Sequence, residues 1–170
     1  FVRGLTARGL PLHQCTFVPD SEDQFTSDHG WRFPADADRL APLIDTAHER
    51  SVRVSLFMDP MPGAMAAAKA VGADRVEFYT ETYARAWRTS QEAEALSHFT
   101  QAALAAHAAG LGINAGHDLN RDNLTDFLKA VPGVREVSIG HALIADALEL
   151  GYTATVEHYL HCIEQAFLPA

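Results

Sequence analysis

The chain has 170 residues, 48% of them hydrophobic and 21% charged, with a formal net charge of -9, which is enough for one domain with a substantial core. The acidic balance excludes the concentrated basic face that nucleic-acid binding requires, but not small anionic ligands, because local groups set the field of a pocket. No apolar run approaches the roughly twenty residues of a membrane-spanning helix, so neither nucleic acid nor membrane is an expected partner.

Cys15 and Cys162 form neither a disulfide framework nor a C-x-x-C pair, and the opening at Phe1 lacks a secretory apolar core, which together predict a reducing, cytoplasmic setting. Residues 1–9 read as the tail of a helix entering a loop. Residues 14–18 predict a short strand ending at Pro19-Asp20, and the polar stretch 21–30, without apolar periodicity, predicts a loop. From Asp36 the spacing of Leu40, Leu43, Ile44 and Ala47 predicts a helix with one buried face. Residues 52–59 alternate as a strand, with Val52, Val54, Leu56 and Met58 on one side and Arg53, Ser55, Phe57 and Asp59 on the other.

An alanine-rich helix over 63–71 stops at Gly72. The strand over 75–80 sets Val76 and Phe78 against Glu77 and Tyr79. Thr89-Ser-Gln-Glu92 predicts a capping box that opens a long helix, closed by Gly110. Residues 111–114 read as a strand, 122–130 as a helix, 134–139 as a strand and 153–167 as a last helix.

Two of these strands close on the same pair, in Asn114-Ala-Gly-His117-Asp-Leu and Ser138-Ile-Gly-His141-Ala-Leu. Glycine lets a ligand approach the backbone, and a neighbouring imidazole titrates near neutrality, a combination suited to phosphate binding or proton transfer. Two structural histidines at strand ends are the plain alternative. Five strands, each followed by helical sequence, predict right-handed crossovers and a parallel sheet. One polar strand face suits a barrel lumen better than a doubly wound sheet, and Asp20, Asp59, Thr80, Glu81, His117 and His141 all fall at strand C-terminal ends. A complete (β/α)8 TIM barrel takes about 200 to 250 residues. The expected fold is therefore α/β, an N-terminally incomplete TIM barrel of about five βα units, with residues 1–170 forming a single domain.

Val54-Ser-Leu-Phe-Met-Asp-Pro60, Val76-Glu-Phe-Tyr-Thr80 with Tyr83-Ala84, Asn114-Ala-Gly-His-Asp-Leu119 and Val137-Ser-Ile-Gly-His-Ala-Leu-Ile144 together resemble the motifs of the pyridoxine 5′-phosphate synthase family. Cys15-Thr-Phe-Val-Pro19 followed by Phe25-Thr-Ser-Asp-His-Gly30 is similar to the flexible active-site loop of that family. The resemblance runs from about Pro11 to the C-terminus. It implies a (β/α)8 barrel with extra helices at subunit contacts, hence a homo-oligomer. The implied reaction is the ring-forming condensation of 3-amino-2-oxopropyl phosphate with 1-deoxy-D-xylulose 5-phosphate, giving pyridoxine 5′-phosphate, phosphate and water.

By that resemblance His117 is a general acid and Glu77 stabilises the reacting species inside the barrel. Gly140 and His141 are phosphate contacts, Thr26 closes onto phosphate from the loop, and Asp118 contacts substrate, through its backbone N–H because an inward carboxylate would repel phosphate. A salt bridge from Glu77 to Arg53 or Arg75 is the structural alternative, as a solvated turn is for Thr26. Tyr79, Glu81 and Asp28-His29-Gly30 depart from the family pattern. The asparagine, general-base histidine, arginines and glutamate base that the family carries on its first three strands have no counterparts here.

No organic cofactor and no metal are expected. His158, His161 and Cys162, a turn apart, read as a helix face, and His48, His98 and His107 as helix-surface residues. Trp31 and Trp87 flank rim loops, as pocket or oligomer-contact residues. A non-catalytic phosphate-binding remnant is the second functional reading.

Overall fold

Alternating apolar and polar residues build five strands: β1 (Gln14–Phe17), β2 (Arg53–Met58), β3 (Arg75–Tyr79), β4 (Gly112–Gly116) and β5 (Val134–Ser138). The computed structural model describes residues 2–20 and 26–168. Phe1 and residues 21–25 of the expected loop lie outside that range. All four strand pairings are parallel and the spatial order is β1-β2-β3-β4-β5.

This order never reverses. Right-handed crossovers repeated in one direction lay every helix on the same face of the sheet, whereas a doubly wound sheet reverses direction to cover both. The helices are α1 (Val2–Ala7), α2 (Ala37–His48), α3 (Met65–Ala70), α4 (Glu81–Ala86), α5 (Glu92–Ala108), α6 (Leu124–Ala130), α7 (His141–Leu150) and α8 (Tyr152–Phe167), with a 3₁₀ turn at Pro62–Ala64. The covered face carries Val54, Leu56, Met58, Val76, Phe78, Ile113 and Ala115, packed in one core with Leu40, Ile44, Met65, Phe99, Leu124 and Phe127 of the helices. Within it Phe99 meets Phe78 and Phe127 edge-on at centroid distances of 6.1 and 5.2 Å.

The opposite face is polar and curls on itself. Gln14 of β1 donates to Glu136 of β5 at 3.1 Å, although these strands are the two edges of the sheet. Around Glu136, Arg53 and Arg75 approach at 3.0 and 2.7 Å, Asn114 donates at 3.4 Å, and Arg75 also donates to Asn114 at 2.8 Å. Five strands thus contribute to one hydrogen-bonded network, from the first residues of β1, β2 and β3 and the middle of β4 and β5.

Some elements differ from the sequence expectations. Leu43 lies on the exposed side of α2, while Leu40, Ile44 and Ala47 are buried. The capping box does not form: Glu92 accepts from the Arg88 N–H at 2.9 Å, Arg88 has a left-handed φ of 58°, and α5 starts three residues beyond Thr89. Gly110 does close α5, at φ 76°. Two helices, α4 and α7, stand where no helix was expected. Trp31 is buried and ties the loop to the sheet, its N–H donating to Phe57 O at 3.0 Å and its indole to Phe17 O at 2.8 Å, so it presents no outer surface.

Candidate active site

At the C-terminal ends of β3, β4 and β5 the polar face opens into a cleft of about 590 Å³ lined by Glu77, His117, Ser138, Ile139, Gly140, His141 and Ile144. Four residues expected from the sequence, Glu77, His117, Gly140 and His141, therefore share one cavity. Thr26 and Asp118 join it through His117.

Glu77 rises from the middle of β3 and is 8% exposed. Its Oε2 accepts from Thr16 of β1 at 3.1 Å and from Ser138 of β5 at 3.4 Å. Burial pushes its carboxyl above the usual range; the Thr16 and Ser138 hydroxyls and nearby His117 pull the other way, and Glu136 adds to the rise. The salt bridge to Arg53 or Arg75 is absent because Glu136 takes both guanidinium groups.

His117 follows β4 at a left-handed φ of 63°, uncommon for a side-chain-bearing residue. Its N–H donates to Ser138 O at 3.0 Å, which fixes the turn against β5. Gly116, just before it, needs its missing side chain: a Cβ there would lie 2.1 Å from Ser138 O. The imidazole packs against Tyr79, Phe57 and His141 at centroid distances of 5.6, 6.1 and 5.9 Å. Its Nε2 lies 3.0 Å from Thr26 Oγ1, and its Nδ1 lies 2.9 Å from Asp118 Oδ2.

Asp118 corrects one expectation. Its N–H, expected to face substrate, donates to Gly116 O at 2.9 Å and to Thr80 Oγ1 at 3.3 Å. Its side chain contacts His117, which lines the cleft. Thr80 is buried and donates to Gly116 O, so one hydroxyl braces both sides of the turn. Sequence periodicity gave no sign of that brace. Thr16 and Ser138, which share Glu77 as their target, were not singled out from the sequence either.

Gly140 and His141 begin α7, with Gly140 as N-cap. The first bond of the helix runs from the Ile144 N–H to Gly140 O at 3.1 Å, so the amides before it point out of the helix end, an arrangement that favours anions. Among the described residues, a Cβ on Gly140 would meet no atom within 4 Å beyond its chain neighbours. Arg121 holds the far part of α7, its two N–H groups reaching Asp146 at 2.8 Å each, while Tyr159 of α8 donates to the same carboxylate at 2.9 Å.

The departures also take defined places. Tyr79 meets His117 edge-on, and burial, followed by Glu81, Asp118, Asp28 and Asp59, pushes its phenol up to about 12, so it stays protonated. Glu81 pairs with the exposed Arg85 at 3.1 Å. Gly30 packs against β2, where a Cβ would lie 2.3 Å from Asp59 N.

The family profile described as "Pyridoxal phosphate biosynthesis protein PdxJ" matches residues 5–165. A protein of Albidiferax ferrireducens named pyridoxine 5′-phosphate synthase is 68% identical over 164 residues, covering 96% of this chain and 65% of that protein. Proteins of the same name from Xanthomonas campestris pv. campestris and Xanthomonas axonopodis pv. citri are 54% and 51% identical, covering 92% and 96% of this chain and 61% and 64% of their own lengths. The chain spans less than two thirds of each of these relatives.

Proposed function

Since the chain belongs to the PdxJ family of pyridoxal phosphate biosynthesis proteins, we propose that the protein acts as a pyridoxine 5′-phosphate synthase, condensing 3-amino-2-oxopropyl phosphate with 1-deoxy-D-xylulose 5-phosphate. The observation that carries this reading is the single cleft shared by Glu77, His117, Gly140 and His141. It joins an acid–base group, a buried carboxylate and an anion-receptive helix end within reach of one small substrate.

In this reading the open amides at Gly140 and His141 receive phosphate, and the empty space over Gly140 accommodates its oxygens. His117 gives a proton from Nε2 to a departing oxygen. Glu77, out of water and beneath the imidazole, stabilises positive charge that develops on the condensing amine. Thr26, already at the Nε2 of His117, swings onto phosphate when substrate fills the cleft. Asp118 borders the substrate beside His117. No step calls for an organic cofactor.

The five strands are, on this proposal, an arc of a (β/α)8 barrel, and residues 1–170 lie within one domain. The unreversed strand order, the polar concave face and the contact of Gln14 with Glu136 across the sheet support that architecture. Exposed Leu148 of α7 and Leu160 of α8 support association of copies into a homo-oligomer. A cytoplasmic setting agrees with the absence, among the described residues, of a helix long and apolar enough to cross a membrane.

The direct test is formation of pyridoxine 5′-phosphate from the two substrates by the purified protein. Product formation that disappears in His117→Ala sustains the reading. Turnover unchanged by that substitution refutes it.

A further inference from the structure

Adjacent residues in regular structure point apart, yet the side chains of His117 and Asp118 meet at 2.9 Å. The left-handed backbone at His117 makes this contact, and four further bonds hold it. The His117 N–H is fixed on Ser138 O, the Asp118 N–H on Gly116 O and on Thr80 Oγ1, and Thr80 is itself anchored to Gly116 O. Such a turn keeps a strained φ only where its surroundings over-determine it.

An ionised carboxylate can only accept, so the proton between the two groups belongs to Nδ1 of His117. That assignment leaves Nε2 as the nitrogen that exchanges its proton, and Nε2 is the one 3.0 Å from Thr26 Oγ1 at the cleft. Tyr79 and His141 pack edge-on against the same ring, which limits its rotation about the bond to Asp118.

We infer that Asp118 is a positioning residue for His117: its carboxylate holds Nδ1–H and thereby commits Nε2 to proton transfer in the cleft. The inference rests on the proposed synthase reaction for its consequence in turnover, but the tautomer itself can be read without that reaction. The carboxylate adds little repulsion toward phosphate in this role, because it faces the imidazole and balances it when His117 is protonated. The Asp118 amide, being occupied, takes no part.

The test uses the purified protein labelled with 15N-histidine, its His117 signals assigned from a His117→Gln variant. Long-range 15N–1H correlations above the histidine titration give the neutral tautomer, and steady-state kinetics run in parallel. The parent is expected to show Nδ1–H. Asp118→Ala should lose that preference, and Asp118→Asn, which can turn an N–H toward Nδ1, should favour Nε2–H. Both should lower kcat on the order of 10- to 100-fold with KM little changed, the usual effect of removing a group that orients a working imidazole.

An Nδ1–H tautomer retained in Asp118→Ala overturns the inference, as does full turnover in a variant whose tautomer has switched. If the parent lacks synthase activity, the functional reading falls while the spectra still decide the positioning. Asp118→Asn preserves side-chain volume and guards against loss through misfolding alone.

Discussion

The polar face of this sheet has two ends, and they are built from the same kinds of residue to opposite effect. From the strand N-termini to mid-strand, Gln14, Arg53, Arg75, Asn114 and Glu136 bond to one another across the curl. At the C-termini, His117, Gly140 and His141 face open volume, and Glu77 beneath them is only partly compensated by two hydroxyls. Density of polar residues therefore does not mark a site. What marks it is hydrogen-bonding capacity and charge left unmatched by protein and turned toward space that a ligand can fill. Buried groups that are fully matched rigidify the fold instead.

The sharpest way to break this contrast is at the rim. His117→Ala should cut turnover about 100- to 10,000-fold while leaving thermal stability near that of the parent, measured by steady-state kinetics beside a melting curve. Intact turnover would reduce both Gly-His pairs to strand ends.

Glu77→Gln probes the carboxylate that burial disfavours. It should lower kcat by about 100-fold if the charge stabilises the reacting amine, and stability separates this from a structural role. Because the folded carboxyl titrates above its unfolded value of about 4.3, the folded state holds the proton more tightly, so stability falls as pH rises from there through the folded value. The Gln variant escapes that loss. Its Tm should match or exceed the parent's at pH 7, with the advantage vanishing toward pH 4; a lower Tm at pH 7 would make Glu77 a structural group.

The lower network should respond in the reverse sense. Glu136→Leu leaves Arg53 and Arg75 without their shared carboxylate and is expected to cost about 1 to 3 kcal/mol of stability, a range kept modest because Glu136 is partly exposed. Urea denaturation measures it. Once the variant is folded, kcat should be close to the parent's, and a catalytic defect without a stability loss would erase the distinction between the two ends.

The smallest effect is expected at the helix end. Gly140 has an ordinary φ and open space at its Cβ position, so Gly140→Val should fold normally yet weaken phosphate binding about tenfold, roughly 1.4 kcal/mol. His141→Asn, which keeps a hydrogen-bond donor but no imidazole, should weaken it less. Calorimetric titration with inorganic phosphate makes the comparison, and parent-like binding by both variants would move the anion site elsewhere on the rim.

Much of this was written in period-two alternation. Val54, Leu56, Val76 and Phe78 announce the covered face, and Arg53, Glu77 and Asn114 the concave one, because burial on one side of a strand leaves its mark on every second residue. Helix α7 was not legible: its exposed Ile144 and Leu148 blur the helical stripe, and Gly140-His141 reads equally well as the end of a strand. Thr89 offered a sound capping signal that lost to a local backbone demand, since Glu92 is drawn to the N–H of the left-handed Arg88. Clustering of Glu77 with His117 could be inferred only through family resemblance. The Asp118 contact to His117 escaped even that, because it depends on one unusual φ that no residue type dictates.

The unreversed strand order bears on how the protein is made. A doubly wound sheet starts in its middle and must hold one edge vacant until much later sequence arrives to pair there. Here each new strand docks on the one synthesised just before it, with only the intervening helical crossover between them. Long-range parallel pairing is slow because a loop must close before contacts form, and this order keeps every closure as short as a crossover allows. A nascent chain can thus add βα units at a moving edge during translation. The Gly-His strand ends at the cleft belong to β4 and β5, so the cleft takes shape only after β5 docks on β4.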